Sequence, residues 1–146
     1  MSHKETNPKD AIAVKKPRYY CNVPANVIRE TSVGMLEGGM KYGRHNYRVA
    51  GVLASVYYDA TIGHINDWWE GQDIDPDSGL HHITKAIASL IVLRDAQMNN
   101  MEKDDRPPKS DVEGDKKRLQ VIVDGLFDKY PDPVPPYLEG DTELHK

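Results

Sequence analysis

The chain has 146 residues, a single cysteine and a formal net charge of −4. That length suits one domain, which can bury roughly two thirds of its unfolded surface without a covalent staple. One cysteine excludes an intramolecular disulfide, the net acidity argues against wrapping a nucleic-acid duplex, and no apolar run reaches the roughly 18 residues of a membrane span.

Residues 1–23 read as an extended arm, because Pro8 and Pro17 forbid a continuous helix. The arm carries Lys9, Lys15, Lys16 and Arg18 but no apolar stretch of the kind a secretory signal needs, so the expected location is the cytoplasm. Cys21, beside Tyr19 and Tyr20, is expected as a small buried hydrophobe.

A first long helix is expected over residues 24–42, with proline in its first turn and Gly43 at its end. Ala25, Ile28, Ser32, Met35, Leu36 and Met40 share helical spacing and form the expected core stripe. At about 100° per residue, Glu30, Gly34, Glu37 and Lys41 fall on a second stripe. Residues 43–50 are a connector rich in hydrogen-bond donors.

A second helix is expected over 51–69, apolar over a broad arc (Leu53, Val56, Tyr57, Ala60, Ile62, Ile65, Trp68), as in a bundle. Ser55, Asp59, Gly63, Asn66 and Glu70 make a narrower polar or small stripe. Residues 70–80 form an acidic loop. A third helix follows over 81–99, with Asp77 or Ser78 as candidate cap and Ile83, Ala86, Ile87 and Leu90 facing the core. Residues 100–116 are almost all polar and read as a linker. A short helix is expected over 115–130, before a proline-rich tail. The expected fold is therefore all-α: a bundle of three main helices plus a short C-terminal helix, completed by self-association. Its parts are an arm (1–23), a helical core (24–106), and a linker, helix and tail (107–146).

Two segments carry candidate chemistry. Glu70, Asp73, Asp75 and Asp77 crowd four carboxylates into eight residues, so a hard cation, lysines or solvent must offset their repulsion. The loop is not an EF-hand: Pro76 intrudes, Gly79 comes one residue late, and Thr84 stands where the closing glutamate belongs. Lys41-Tyr42-Gly43-Arg44-His45-Asn46-Tyr47-Arg48 gathers cations for phosphate, aromatic rings for stacking and an amide for a base edge. The bland reading of the same segment pairs Lys41 with Glu37 and leaves the arginines in solvent. His64 and His82 are candidate functional histidines, His81 less so. No adjacent His-Asp pair, P-loop, GxGxxG or GxSxG motif occurs.

Three blocks in order resemble the dATP/dGTP diphosphohydrolase family. They are Asn7-Pro8-Lys9-Asp10-Ala11-Ile12, Lys41-Tyr42-Gly43-Arg44-His45-Asn46, and the run from His64 through Trp68-Trp69-Glu70-Gly71 and Asp73-Ile74-Asp75-Pro76-Asp77-Ser78-Gly79-Leu80 to His81-His82. Asp104-Asp105-Arg106-Pro107 extends the likeness. That family is widespread in bacteriophages and is related to the MazG-like all-α pyrophosphohydrolases. The resemblance implies cleavage of dGTP or dATP between the α and β phosphates, a divalent metal (Mg²⁺ or Mn²⁺), an oligomeric bundle, and a part in phage nucleotide-pool control in the host cytoplasm. This chain departs from the family at Gly63, Gln72 and Tyr47, where arginine, glutamate and tryptophan are usual. It also lacks the paired ExxE and ExxD ligand spacing of MazG.

On this reading Glu37, Glu70, His64 and His82 are the candidate catalytic residues. Glu37, Glu70 and Asp73, with Asp59 and Asp75 behind them, are the candidate metal ligands. Lys41, Arg44, Lys9 and Lys16 would hold phosphates, and Tyr42, Asn46 and Tyr47 would contact base or sugar. The alternative is a non-catalytic nucleotide-binding or host-interaction module, which turnover of a deoxynucleotide would exclude.

Overall fold

Five helices and one pair of two-residue strands make up the regular structure of the computed structural model, which describes residues 4–141. The chain divides into two compact units, Met1–Arg106 and Pro107–Lys146.

In the first unit, α1 spans Pro8–Ala13. Asn7 caps it, its side-chain oxygen accepting from the Lys9 N–H at 3.0 Å. Residues 1–23 are thus not uniformly extended. Pro8 occupies the first helical turn, where its missing N–H has no partner to lose. A 3₁₀ turn follows at Tyr20–Asn22, and Cys21 within it is exposed rather than buried.

Helix α2 spans Ala25–Tyr42 and ends at Gly43, whose φ of 92° suits a residue without a Cβ. Strand β1 (Val52–Leu53) leads into α3 (Ala54–Trp69), and α4 (His82–Met98) follows the acidic loop. The cap of α4 is His81, whose ring nitrogen accepts from the Ile83 N–H, and not Asp77 or Ser78.

Helix α4 lies between the other two. Its buried residues His82, Thr84, Ala86 and Ala88 fall at alternate positions, about 200° apart on the helix. His82 and Ala86 therefore share one side and Thr84 and Ala88 the opposite side. His82 meets His64 of α3, while Thr84 hydrogen-bonds Glu30 of α2. On α2 the buried residues are Thr31 and Gly34. A Cβ at Gly34 would sit 3.4 Å from that of Ala88, at the near edge of ordinary van der Waals contact, so α2 and α4 approach closely there.

The expected core stripes do not close within one chain. The buried apolar residues are Val52, Ala54, Ala86, Ala88 and Ala96, whereas Ile28 and Leu36 are about half exposed and Met40 is 77% exposed. Small residues make the helix–helix seams, and the large apolar side chains of α2 and α3 are left facing outward.

Residues 100–106 are not a linker. Strand β2 (Glu102–Lys103) runs parallel to β1, with Val52 opposite Glu102. Asp105 then caps α3: its carboxylate accepts from the Ser55 N–H at 2.8 Å and from the Ser55 hydroxyl. The chain before α3 is thereby tied to the chain after α4, so α3 begins at Ala54, three residues later than expected.

In the second unit, α5 spans Val112–Lys129 and is capped by Asp111. With 18 residues it equals α2 in length and is not a short helix. Leu119, Ile122, Val123 and Leu126 line one side of it and are exposed. No helix among the described residues is long and apolar enough to cross a membrane.

Candidate active site

The second half of α2, the connector behind it, one side of α3, the acidic loop and the first turns of α4 enclose an open cleft of about 1120 Å³. Gly43 (φ 92°) and His45 (φ 66°) turn the chain back from the end of α2. Arg48 pins that turn to α4 through a two-pronged pair with Asp95, at 2.7 and 2.8 Å. Arg48 is thus engaged in structure, and Lys41, Tyr42, Arg44, Asn46 and Tyr47 are left on the cleft.

Across from them, Glu37 Oε1 accepts from Lys85 Nζ at 2.5 Å, and Lys41 Nζ approaches the same oxygen at 3.4 Å. Lys41 also reaches Asp77 at 3.5 Å. The Lys85 hydrogen bond, acting against burial, holds the Glu37 carboxyl below its ordinary range. The carboxylate is therefore charged at neutral pH and shared between two ammonium groups.

Asp75 organises the acidic loop. It is nearly buried, and its carboxylate accepts from the Ser78 hydroxyl at 2.8 Å and the Asp77 N–H at 3.2 Å. Its own N–H donates to the Leu80 carbonyl. Burial opposes the Asp75 charge, but the Ser78 hydroxyl, the Asp77 N–H and nearby His64 outweigh it and keep the carboxyl below its usual value. His64 Nδ1 stands 2.8 Å from His82 Nδ1, and His82 Nε2 stands 2.7 Å from Gln72 Oε1. Burial lowers the basicity of His64. Asp75 partly offsets this, while His82 and Lys85 push it further down.

Of the residues singled out from the sequence, Glu37, Lys41, Tyr42, Arg44, Asn46, Tyr47, His64 and Asp75 line this cleft. His82 lies behind His64 as its hydrogen-bond partner. Lys9, on α1, and Lys16 just beyond it are exposed and outside the lining, as are Asp59, Glu70 and Asp73. Asp73 contributes its backbone carbonyl to the His82 N–H. Lys85 was not singled out. Its signal was its position three residues after His82, one turn along the same side of α4.

Among the described residues no three His, Cys, Asp or Glu side chains converge as a metal site requires. Glu37 is engaged by lysines and Asp75 by its own loop, so this donor set does not fit a divalent ion held by protein alone.

Fold and cleft define an all-α protein with a mixed-charge cleft, in which cations, aromatic rings and an amide stand with carboxylate and imidazole groups. The family model described as dATP/dGTP diphosphohydrolase, N-terminal, matches residues 6–106, and the chain belongs to that family. No curated protein and no solved structure matches it.

Proposed function

We propose that this cleft hydrolyses a purine deoxynucleoside triphosphate, dGTP or dATP, to the monophosphate and pyrophosphate. The observation that carries the proposal is the convergence of Lys41, Arg44 and Lys85 with Tyr42, Tyr47 and Asn46 beside Glu37 and His64 on one cleft. A water oxygen bonds to the α-phosphorus, and the bond from that phosphorus to the αβ-bridging oxygen breaks. Pyrophosphate leaves with the electron pair. The three cations offset the charge that develops on the phosphate oxygens, and preorganised charges of this kind supply most of phosphoryl-transfer catalysis. Tyr42, Tyr47 and Asn46 take the base and sugar.

Mg²⁺ or Mn²⁺ enters the proposal with the substrate. Magnesium is commonly bound through one or two carboxylates plus the phosphates of the nucleotide, not by an all-protein cage. The resemblance of the sequence blocks to the family implies this dependence, together with a part in phage nucleotide-pool control in the host cytoplasm. Assembly with further copies is supported by the outward-facing apolar side chains of α2 and α3.

The test is a panel of ribo- and deoxynucleoside triphosphates with Mg²⁺ or Mn²⁺, assayed for pyrophosphate and monophosphate. Pyrophosphate from dGTP or dATP is expected. Release of free phosphate or triphosphate overturns the bond assignment, and full activity in excess EDTA overturns the metal dependence.

A further inference from the structure

Gln72 Oε1, the two rings of His82 and His64, and the cleft form one hydrogen-bonded line. The amide oxygen at one end sets the proton placement along the line when both rings are neutral. An amide oxygen accepts and cannot donate, so His82 Nε2, at 2.7 Å, carries the hydrogen. His82 is 1% exposed, and its ring nitrogens meet only an amide oxygen and another imidazole. In a neutral ring a hydrogen at Nε2 leaves Nδ1 bare. His82 Nδ1 therefore presents a lone pair. His64 Nδ1, 2.8 Å away, must donate to it. The hydrogen bond at one imidazole nitrogen sets the state of the other. In the neutral ring, His64 Nε2 is left unprotonated.

We propose that Gln72 and His82 are positioning residues that hold His64 as its Nδ1–H tautomer, so that the Nε2 lone pair faces the cleft and takes the proton of the attacking water. This deepens the hydrolase reading above and rests on it. The proton leaves the water as its oxygen bonds to phosphorus, and His64 becomes the imidazolium. The choice of residue at position 72 decides the direction of the line. A side chain without an acceptor there leaves His82 free to take either tautomer.

The test is long-range ¹H–¹⁵N spectroscopy of the histidine rings in the full chain above about pH 8, beyond the ordinary histidine range. It needs no turnover, so its failure is distinct from failure of the hydrolase reading. The unsubstituted protein is expected to show His64 protonated at Nδ1 only. Gln72→Leu is expected to give a mixture of His64 tautomers and to lower kcat by about tenfold or more with little change in KM, a part of what a general base contributes. Gln72→Met, close in shape to glutamine should the leucine variant not fold, removes the same acceptor and is expected to mix the His64 tautomers and lower kcat likewise. A proton on His64 Nε2 in the unsubstituted protein overturns the proposal. So does a Gln72 variant with altered tautomers and unchanged kcat.

Discussion

Lys85 Nζ lies 2.5 Å from Glu37 Oε1, an ion pair that joins α4 to α2 across the cleft and leaves both side chains about four-fifths covered. Lys41 reaches the same oxygen at 3.4 Å and Asp77 at 3.5 Å, so two lysines are matched by two carboxylates in this cluster. Glu37→Gln keeps the shape of the side chain and removes its charge. The expected outcome is a fall in kcat of roughly a hundredfold, as for loss of a group that acts on the reacting centre. Lys41→Met is the control: Lys41 is more exposed, and its loss should raise KM more than it lowers kcat. Steady-state kinetics at saturating Mg²⁺ separate the two. Normal turnover in Glu37→Gln would reduce that residue to an anchor for the lysines.

The cleft is lined entirely by residues of the unit Met1–Arg106. Truncation after Pro108 is expected to leave turnover within about tenfold, a small change in barrier. Complete loss of activity in a truncated protein that is folded and correctly assembled would place Pro107–Lys146 in the site.

Asp105 holds the first turn of α3 through the Ser55 N–H and hydroxyl, and the Ser55 hydroxyl is the main cause of its lowered pKa. Asp105→Ala is expected to lower the melting temperature by on the order of 5 °C, as for loss of a helix cap in a domain of this size. Ser55→Ala should lower it less, because the backbone N–H keeps its acceptor. Equal melting curves for all three proteins would remove the cap from the account of stability.

His64 is less basic in the folded chain than its ordinary value of about 6.5. The unfolded chain therefore takes up the proton first as pH falls, and stability declines below about pH 6.5 until the folded ring is protonated too. Above that pH His64 contributes no slope. Glu37 and Asp75 are also lowered, but as acids they give up their stabilisation only below the ordinary carboxyl range, near pH 4. Denaturant titrations between pH 8 and pH 5 are expected to show the first decline, and His64→Gln should flatten it.

Local signals placed α2 closely: Pro24 and Gly43 bracket it, and each acts within a residue or two of itself. The start of α3 was less legible, because Val52 and Leu53 are held in a strand by residues fifty positions later, and periodicity carries no such pairing. Pro8 was read as a breaker where it opens a helix, a distinction that rests on the cap at Asn7. The stripe counted as core on α2 was real as a pattern, yet the residues buried there are Thr31 and Gly34, and Gly34 meets Ala88 and Thr84 of α4, because close packing selects small residues rather than the most apolar ones. At the site, the segment from Lys41 to Tyr47 was legible because its chemistry is contiguous. Lys85 was not, since its partner lies 48 residues away on another helix. Gln72 was visible only as a departure from the family, and its hydrogen bond to His82 gives it a place in the cleft's proton line.

The tie between Ser55 and Asp105 also bears on how the chain is made. Synthesis delivers the first turn of α3 fifty residues before the carboxylate that caps it, and β1 waits as long for β2. Until Asp105 has emerged from the ribosome, a nascent chain carries α2, α3 and α4 with the base of the α3–α4 pair unfastened. The last residues of the unit, not its helices, therefore complete the fastening at the start of α3.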